Sequence, residues 1–130
     1  MRPWVLTLVV LLAVPAQTLF AFPQPLLLDI RCSETDGQLV ITHVAPSGLG
    51  EMMKLAEGDT ILSINGTPVR STGDMREALA SSRPLEGKES RHIEIKLTRG
   101  GQRVVIAGTV RRSERVAGKY VFRSDNEGDR

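Results

Sequence analysis

The chain opens on an unbroken greasy run and then changes to short alternating segments. From Val5 to Val14 every residue but Thr7 is apolar. After Pro25 the apolar positions come singly or in short groups of at most four, divided by polar and charged residues with Gly and Pro among them. Leu26 to Ile30 reads as a first strand, and the polar stretch Ser33 to Gly37 as a turn. Leu39 to Val44 alternates, with Leu39, Ile41 and His43 on one face and Val40, Thr42 and Val44 on the other. Pro46-Ser47-Gly48 breaks it. Leu49, Met52 and Met53 have helical spacing and predict a short helix over Leu49 to Leu55. Glu57-Gly58-Asp59 turns the chain into a strand at Thr60 to Ile64. Asn65-Gly66 is a tight-turn signal, because both residues tolerate positive φ. It leads into a short strand at Thr67 to Val69.

Ser71, with Asp74 three residues on, marks a helix start. Met75, Ala78 and Leu79 form the apolar stripe of that helix. Ser81 to Ser90 is a polar loop. His92 to Leu97 alternates with Ile93, Ile95 and Leu97 inward. Gly100-Gly101 turns the chain, and Arg103 to Val110 returns as the partner strand. The pattern predicts a small α+β domain, a partly open β-barrel or sandwich capped by two helices. Residues 1–21 read as a signal peptide, 25–111 as the folded domain, and 112–130 as a charged, flexible tail.

The leading segment changes the picture of location. Arg2 is the only charge before Asp29, and Val14-Pro15-Ala16 and Leu19-Phe20-Ala21 both end in a small residue. A short positive start, an apolar core and a small-residue cleavage point are the parts of a secretory signal. The folded part is therefore expected to be exported, either periplasmic or secreted. A membrane contact is expected only if this segment stays uncleaved.

Composition narrows the chemistry. The formal charge of +2 over 130 residues is too small to argue for nucleic acid. Aromatic residues make up 4% of the chain, so the core must be aliphatic. Cys32 is the only cysteine, which excludes an intrachain disulfide and a cysteine-based metal site. His43 and His92 have no second ligand or base at motif spacing. Neither His-Glu-x-x-His nor Gly-x-Ser-x-Gly is present. The expectation is a chain with no enzymatic activity, no cofactor and no small-molecule substrate.

One run is more specific than any of these signals. Leu39-Val40-Ile41, Val44, Pro46 and Leu55 lead to Gly58-Asp59, Ile61-Leu62-Ser63-Ile64-Asn65-Gly66 and Pro68-Val69. This stretch resembles a PDZ domain of the bacterial, circularly permuted type, as found in HtrA-type, carboxy-terminal processing and site-2 proteases. The resemblance covers about Leu26 to Arg111 and implies a protein or peptide partner. In that family a peptide adds a strand to a sheet edge beside a helix. The resemblance puts the edge at Leu27, Leu28, Asp29 and Ile30, and the groove wall at Met75, Ala78, Leu79 and Ser82. An accessory role beside a separate envelope protease or secretion machine, docking by the surface, is the alternative. The chain departs from the family at Ser47-Gly48-Leu49-Gly50 and at Met53-Lys54-Leu55. It also has Asp29 where the carboxylate-receiving loop would carry glycine. Free C-termini are therefore expected to bind weakly, and internal segments to be preferred.

Overall fold

The computed structural model describes residues 26–85, 87–116 and 118–126. The signal peptide read at residues 1–21 lies outside them. Among the described residues the elements run β1 (Ile30–Thr35), β2 (Gln38–Val44), α1 (Leu49–Met52), β3 (Thr60–Ile64), β4 (Thr67–Pro68), α2 (Thr72–Ser82), β5 (Ser90–Arg99), β6 (Gln102–Arg112) and β7 (Tyr120–Ser124). One antiparallel sheet has the order β1-β2-β3-β5-β6-β7, and β4 is a spur on β3. It curls into a half-barrel that the two helices close, which is the α+β architecture the pattern predicts.

Two-residue turns set three of the registers. Thr35 pairs with Gln38 across Asp36-Gly37, Ile64 with Thr67 across Asn65-Gly66, and Arg99 with Gln102 across Gly100-Gly101. In each turn both central residues have positive φ, and Asn65-Gly66 takes 51° and 81°. That geometry matches the twist of the flanking strands. Asn65 does more than turn. Its Nδ2 donates to Ser82 Oγ at 2.8 Å, and its Oδ1 accepts from the Glu94 amide at 2.7 Å. One hairpin tip thereby ties β3, β5 and the end of α2 together.

Leu39, Ile41, Ile61, Ile64, Ile93, Ile95, Leu97 and Val110 are each at most 1% exposed and make the aliphatic centre. Leu62, apolar in sequence like its neighbours, is only half-buried. The pairing of β3 with β5 slips between Ile61 and Ser63. Such a bulge lets Ile61 and Ile64, three apart, both point inward, and it turns Leu62 away.

Three other elements differ from the pattern. The first strand begins at Ile30 and runs to Thr35, past the apolar stretch that predicts it. As an edge strand paired, among the described residues, only with β2, it can expose Arg31, Ser33, Glu34 and Thr35, so alternation does not mark it. The predicted helix over Leu49 to Leu55 stops at Met52. Lys54 takes φ 64°, its amide donates to Glu51 O at 3.0 Å, and the Leu55 amide donates to Gly50 O at 3.0 Å. This is a Schellman ending with lysine in the place glycine usually takes. Finally, the tail read as flexible contains β7, which pairs with β6 through Phe122 and Val110. Phe122 is 8% exposed. Its ring lies over Gly108, where a Cβ would come within 2.6 Å of Phe122 Cζ. The free edge of β6 and the β-prone Tyr120-Val121-Phe122 outweigh the charge of the segment.

An ion pair with a buried carboxylate and a half-exposed guanidinium fixes the approach to β3. Asp59 is 1% exposed and accepts from the Ala56 amide at 2.9 Å and from Arg99 Nε and Nη2 at 2.8 and 2.7 Å. Arg99 Nη2 also donates to Lys54 O at 2.9 Å. Among the described residues no helix is long and apolar enough to cross a membrane.

Candidate peptide-binding cleft

Among the described residues β1 is paired on one side only, and α2 stands beyond its open edge. Between them lies a cleft of about 300 Å³, lined by Leu26 to Ile30 on one wall and by Thr72, Met75, Arg76 and Leu79 on the other. The helix residues are spaced three and four apart, so they share one face of α2. Ser71 starts that helix. Its Oγ accepts from the Asp74 amide at 3.0 Å, and the Asp74 carboxylate accepts from the Arg70 amide at 3.1 Å. The reciprocal half of the cap thus reaches one residue further back than a capping box would.

Six of the eight residues named from the sequence come together here: Leu27, Leu28, Asp29, Ile30, Met75 and Leu79. Ala78 and Ser82 lie elsewhere. Ala78 is buried in the core, and Ser82, fully buried, donates to Ala78 O at 3.0 Å while holding Asn65. Leu26, from the apolar stretch read as the first strand, joins the cleft, as do Thr72 and Arg76, which have no signal in the pattern. The helical period from Met75 contains Thr72 and Arg76, but an apolar stripe alone does not pick out polar neighbours.

The end of the cleft is a clamped loop. Asp29 has φ 58°, a left-handed conformation that Asp tolerates better than most residues. Its carbonyl accepts from the Ala45 amide at 2.9 Å, and Leu28 O accepts from the Gly50 amide at 2.6 Å. A Cβ on Gly48 would lie 2.5 Å from Asp29 Cβ, and one on Gly50 would lie 2.7 Å from Leu28 O. The Ser47-Gly48-Leu49-Gly50 departure therefore makes room for Asp29. The exposed Asp29 carboxylate leans toward α1, with Oδ2 3.4 Å from the Leu49 amide. The amides of Leu28 and Asp29 have no partner among the described residues. At the other end Thr72 Oγ1 donates to Glu34 Oε2 at 3.1 Å and bridges helix to strand.

The remaining reactive groups gather nowhere. Burial pushes the Cys32 thiol up, which holds it in the less nucleophilic protonated form. His43 and His92 are both solvent-accessible, and His92 Nε2 sits 3.3 Å from Asp125 Oδ2. Among the described residues no three His, Cys, Asp or Glu side chains cluster as metal ligands. A larger opening of about 410 Å³ lies between the end of α1 and β6–β7. It does not touch the free edge of β1, so size alone does not select the site.

Residues 40–99 match a family model described as a PDZ domain. A solved HtrA-type protease with a decapeptide is similar in fold, with a TM-score of 0.54 and 19% identity over 75% of this chain. The chain spans 29% of that protease's length. A comparison with curated proteins gives no match. PDZ domains are generally non-catalytic modules of protein interaction; residues 40–99 of this chain match their family model, and the described domain shares its fold with the HtrA-type protease.

Proposed function

We propose that the chain is a non-catalytic, exported module that binds an extended peptide or protein segment by adding it as a strand to the free edge of β1. The observation that carries this reading is the open edge beside the Met75 and Leu79 face of α2, closed at one end by a loop whose Leu28 and Asp29 amides have no partner among the described residues. Backbone hydrogen bonds along β1 would supply affinity, and the half-buried Ile30 and Met75, above a floor of buried Leu26, Leu28 and Leu79, would supply side-chain selection. The decapeptide present with the similar protease favours the same kind of ligand. Export rests on the N-terminal sequence, and finding the intact N-terminus in washed membranes would replace cleavage with anchoring.

One observation favours the docking alternative. The registers of β5, β6 and β7 bring Lys96, Arg103, Arg111 and Arg123 to one outer face of the sheet. A pair of variants separates the readings. A decapeptide selected from a randomised library is titrated against wild type, Met75→Glu and Lys96→Glu. Strand addition predicts that Met75→Glu weakens binding at least about tenfold, because bound peptide would desolvate a carboxylate in the apolar wall. It predicts little change in Lys96→Glu. The reverse pattern would move the interface to the basic face.

A further inference from the structure

The crest at the end of the cleft belongs to two clefts. Leu27 and Asp29 line the peptide cleft on one side, and on the other they line a second one of about 180 Å³. That second cleft runs between α1 and the start of β7, with Ser47, Leu49, Met52, Lys119 and Tyr120 as its other walls. Two of the large apolar side chains most open to solvent stand along this path, Leu27 at 56% and Met52 at 40% exposure. Lys119 lies beyond them and makes no ion pair among the described residues.

We infer that the ligand is an internal segment whose downstream residues cross the Leu27–Asp29 crest and enter the cleft between α1 and β7. This rests on strand addition at β1. A segment lying antiparallel to β1 runs from the Thr35 end toward Ile30, so its C-terminal side arrives at the crest. A chain that ended there would bring its carboxylate beside the exposed carboxylate of Asp29, like charge against like. A chain that continues presents a peptide N–H at that point, which the Asp29 carboxylate can accept. Past the crest, the exposed Leu27 and Met52 take an apolar side chain, and Lys119 takes an acidic one. The ligand class is an extended polypeptide with an apolar anchor, followed downstream by a second apolar residue and an Asp or Glu.

The test uses one library-selected peptide in three forms. It is made ending at the crest as the free acid, ending there as the amide, and extended by Gly-Leu-Glu-Gly. Each is titrated against the full chain, Asp29→Gly, Met52→Glu and Lys119→Glu. The extended form is expected to bind wild type at least tenfold more tightly than the free acid. Met52→Glu and Lys119→Glu each remove most of that gain and leave the amide form unchanged. Asp29→Gly brings the free acid up to the amide. The inference is overturned if the free acid equals the extended form on wild type, or if neither Met52→Glu nor Lys119→Glu affects the extended form. If extended binding persists without protecting the amides of β1, strand addition fails instead and the inference falls with it.

Discussion

Replacing Asp59 tests whether its ion pair with Arg99 holds the approach to β3. The carboxylate is 1% exposed and accepts three hydrogen bonds, two from Arg99 and one from the Ala56 amide. Breaking one partner of a buried pair usually costs about 3–5 kcal/mol, because the other charge is left unpaired. Arg99, however, has a side chain 43% exposed and can regain water. The expected cost of Asp59→Ala is therefore lower, about 2–3 kcal/mol. Asp59→Asn keeps an acceptor for Ala56 or Arg99 but loses charge assistance, and about 1–2 kcal/mol is expected. Urea unfolding of both variants and wild type gives the values directly. A midpoint for Asp59→Ala equivalent to less than about 0.5 kcal/mol would refute the reasoning, since that is the scatter of ordinary surface changes. Acidity supplies a second reading of the same pair. Burial alone raises the Asp59 pKa, but the hydrogen bonds from Arg99 and Ala56 and the Arg99 charge outweigh it and hold it below its ordinary value. A depressed folded-state pKa stabilises fully above the unfolded value and less as pH falls through the folded one. The pair's contribution should thus fade below about pH 4, and Asp59→Asn should lose less stability than wild type over that acid range.

Other positions make independent demands. Gly58 and Gly66 have φ of 91° and 81°, so Gly58→Val or Gly66→Val should each cost about 1–3 kcal/mol in thermal or urea unfolding. Gly108→Ala would drive a Cβ into the Arg123 carbonyl and the Phe122 ring, so β7 must shift. About 1–3 kcal/mol is expected, together with faster amide exchange in Tyr120–Ser124. Asn65→Ala removes the bonds to Ser82 and to the Glu94 amide, and about 2 kcal/mol is expected by denaturation.

Periodicity makes the buried strands legible. Ile93, Ile95 and Leu97 alternate cleanly in sequence and are all fully buried. Asn65-Gly66 and Gly100-Gly101 announce their hairpins because few other residues accept that backbone. The edges are harder to read, for one physical reason. An edge strand is stabilised by backbone pairing on one side and need not alternate, so Ile30–Thr35 and Tyr120–Ser124 look like loop and tail. The helix-side cleft residues have the opposite difficulty. Met75 and Leu79 carry an apolar signal, whereas Thr72 and Arg76 join them only through the shared helix face. Ser82 belongs to the right helix but turns to Asn65, a hydrogen bond between residues 17 apart that local pattern does not encode. The left-handed conformation of Lys54 and the 48–50 pocket for Asp29 likewise depend on contacts across the fold.

Amide hydrogen exchange on β1, with and without a library-selected decapeptide, measures strand addition where it is proposed to happen. A segment bonded to the open edge must slow exchange at the outward-facing amides of Ile30–Thr35 and at the loop amides of Leu28 and Asp29. It must also leave the outer face of β5–β6 unchanged. Saturating peptide with no new protection in β1, or protection confined to the Lys96 and Arg103 face, would contradict the account.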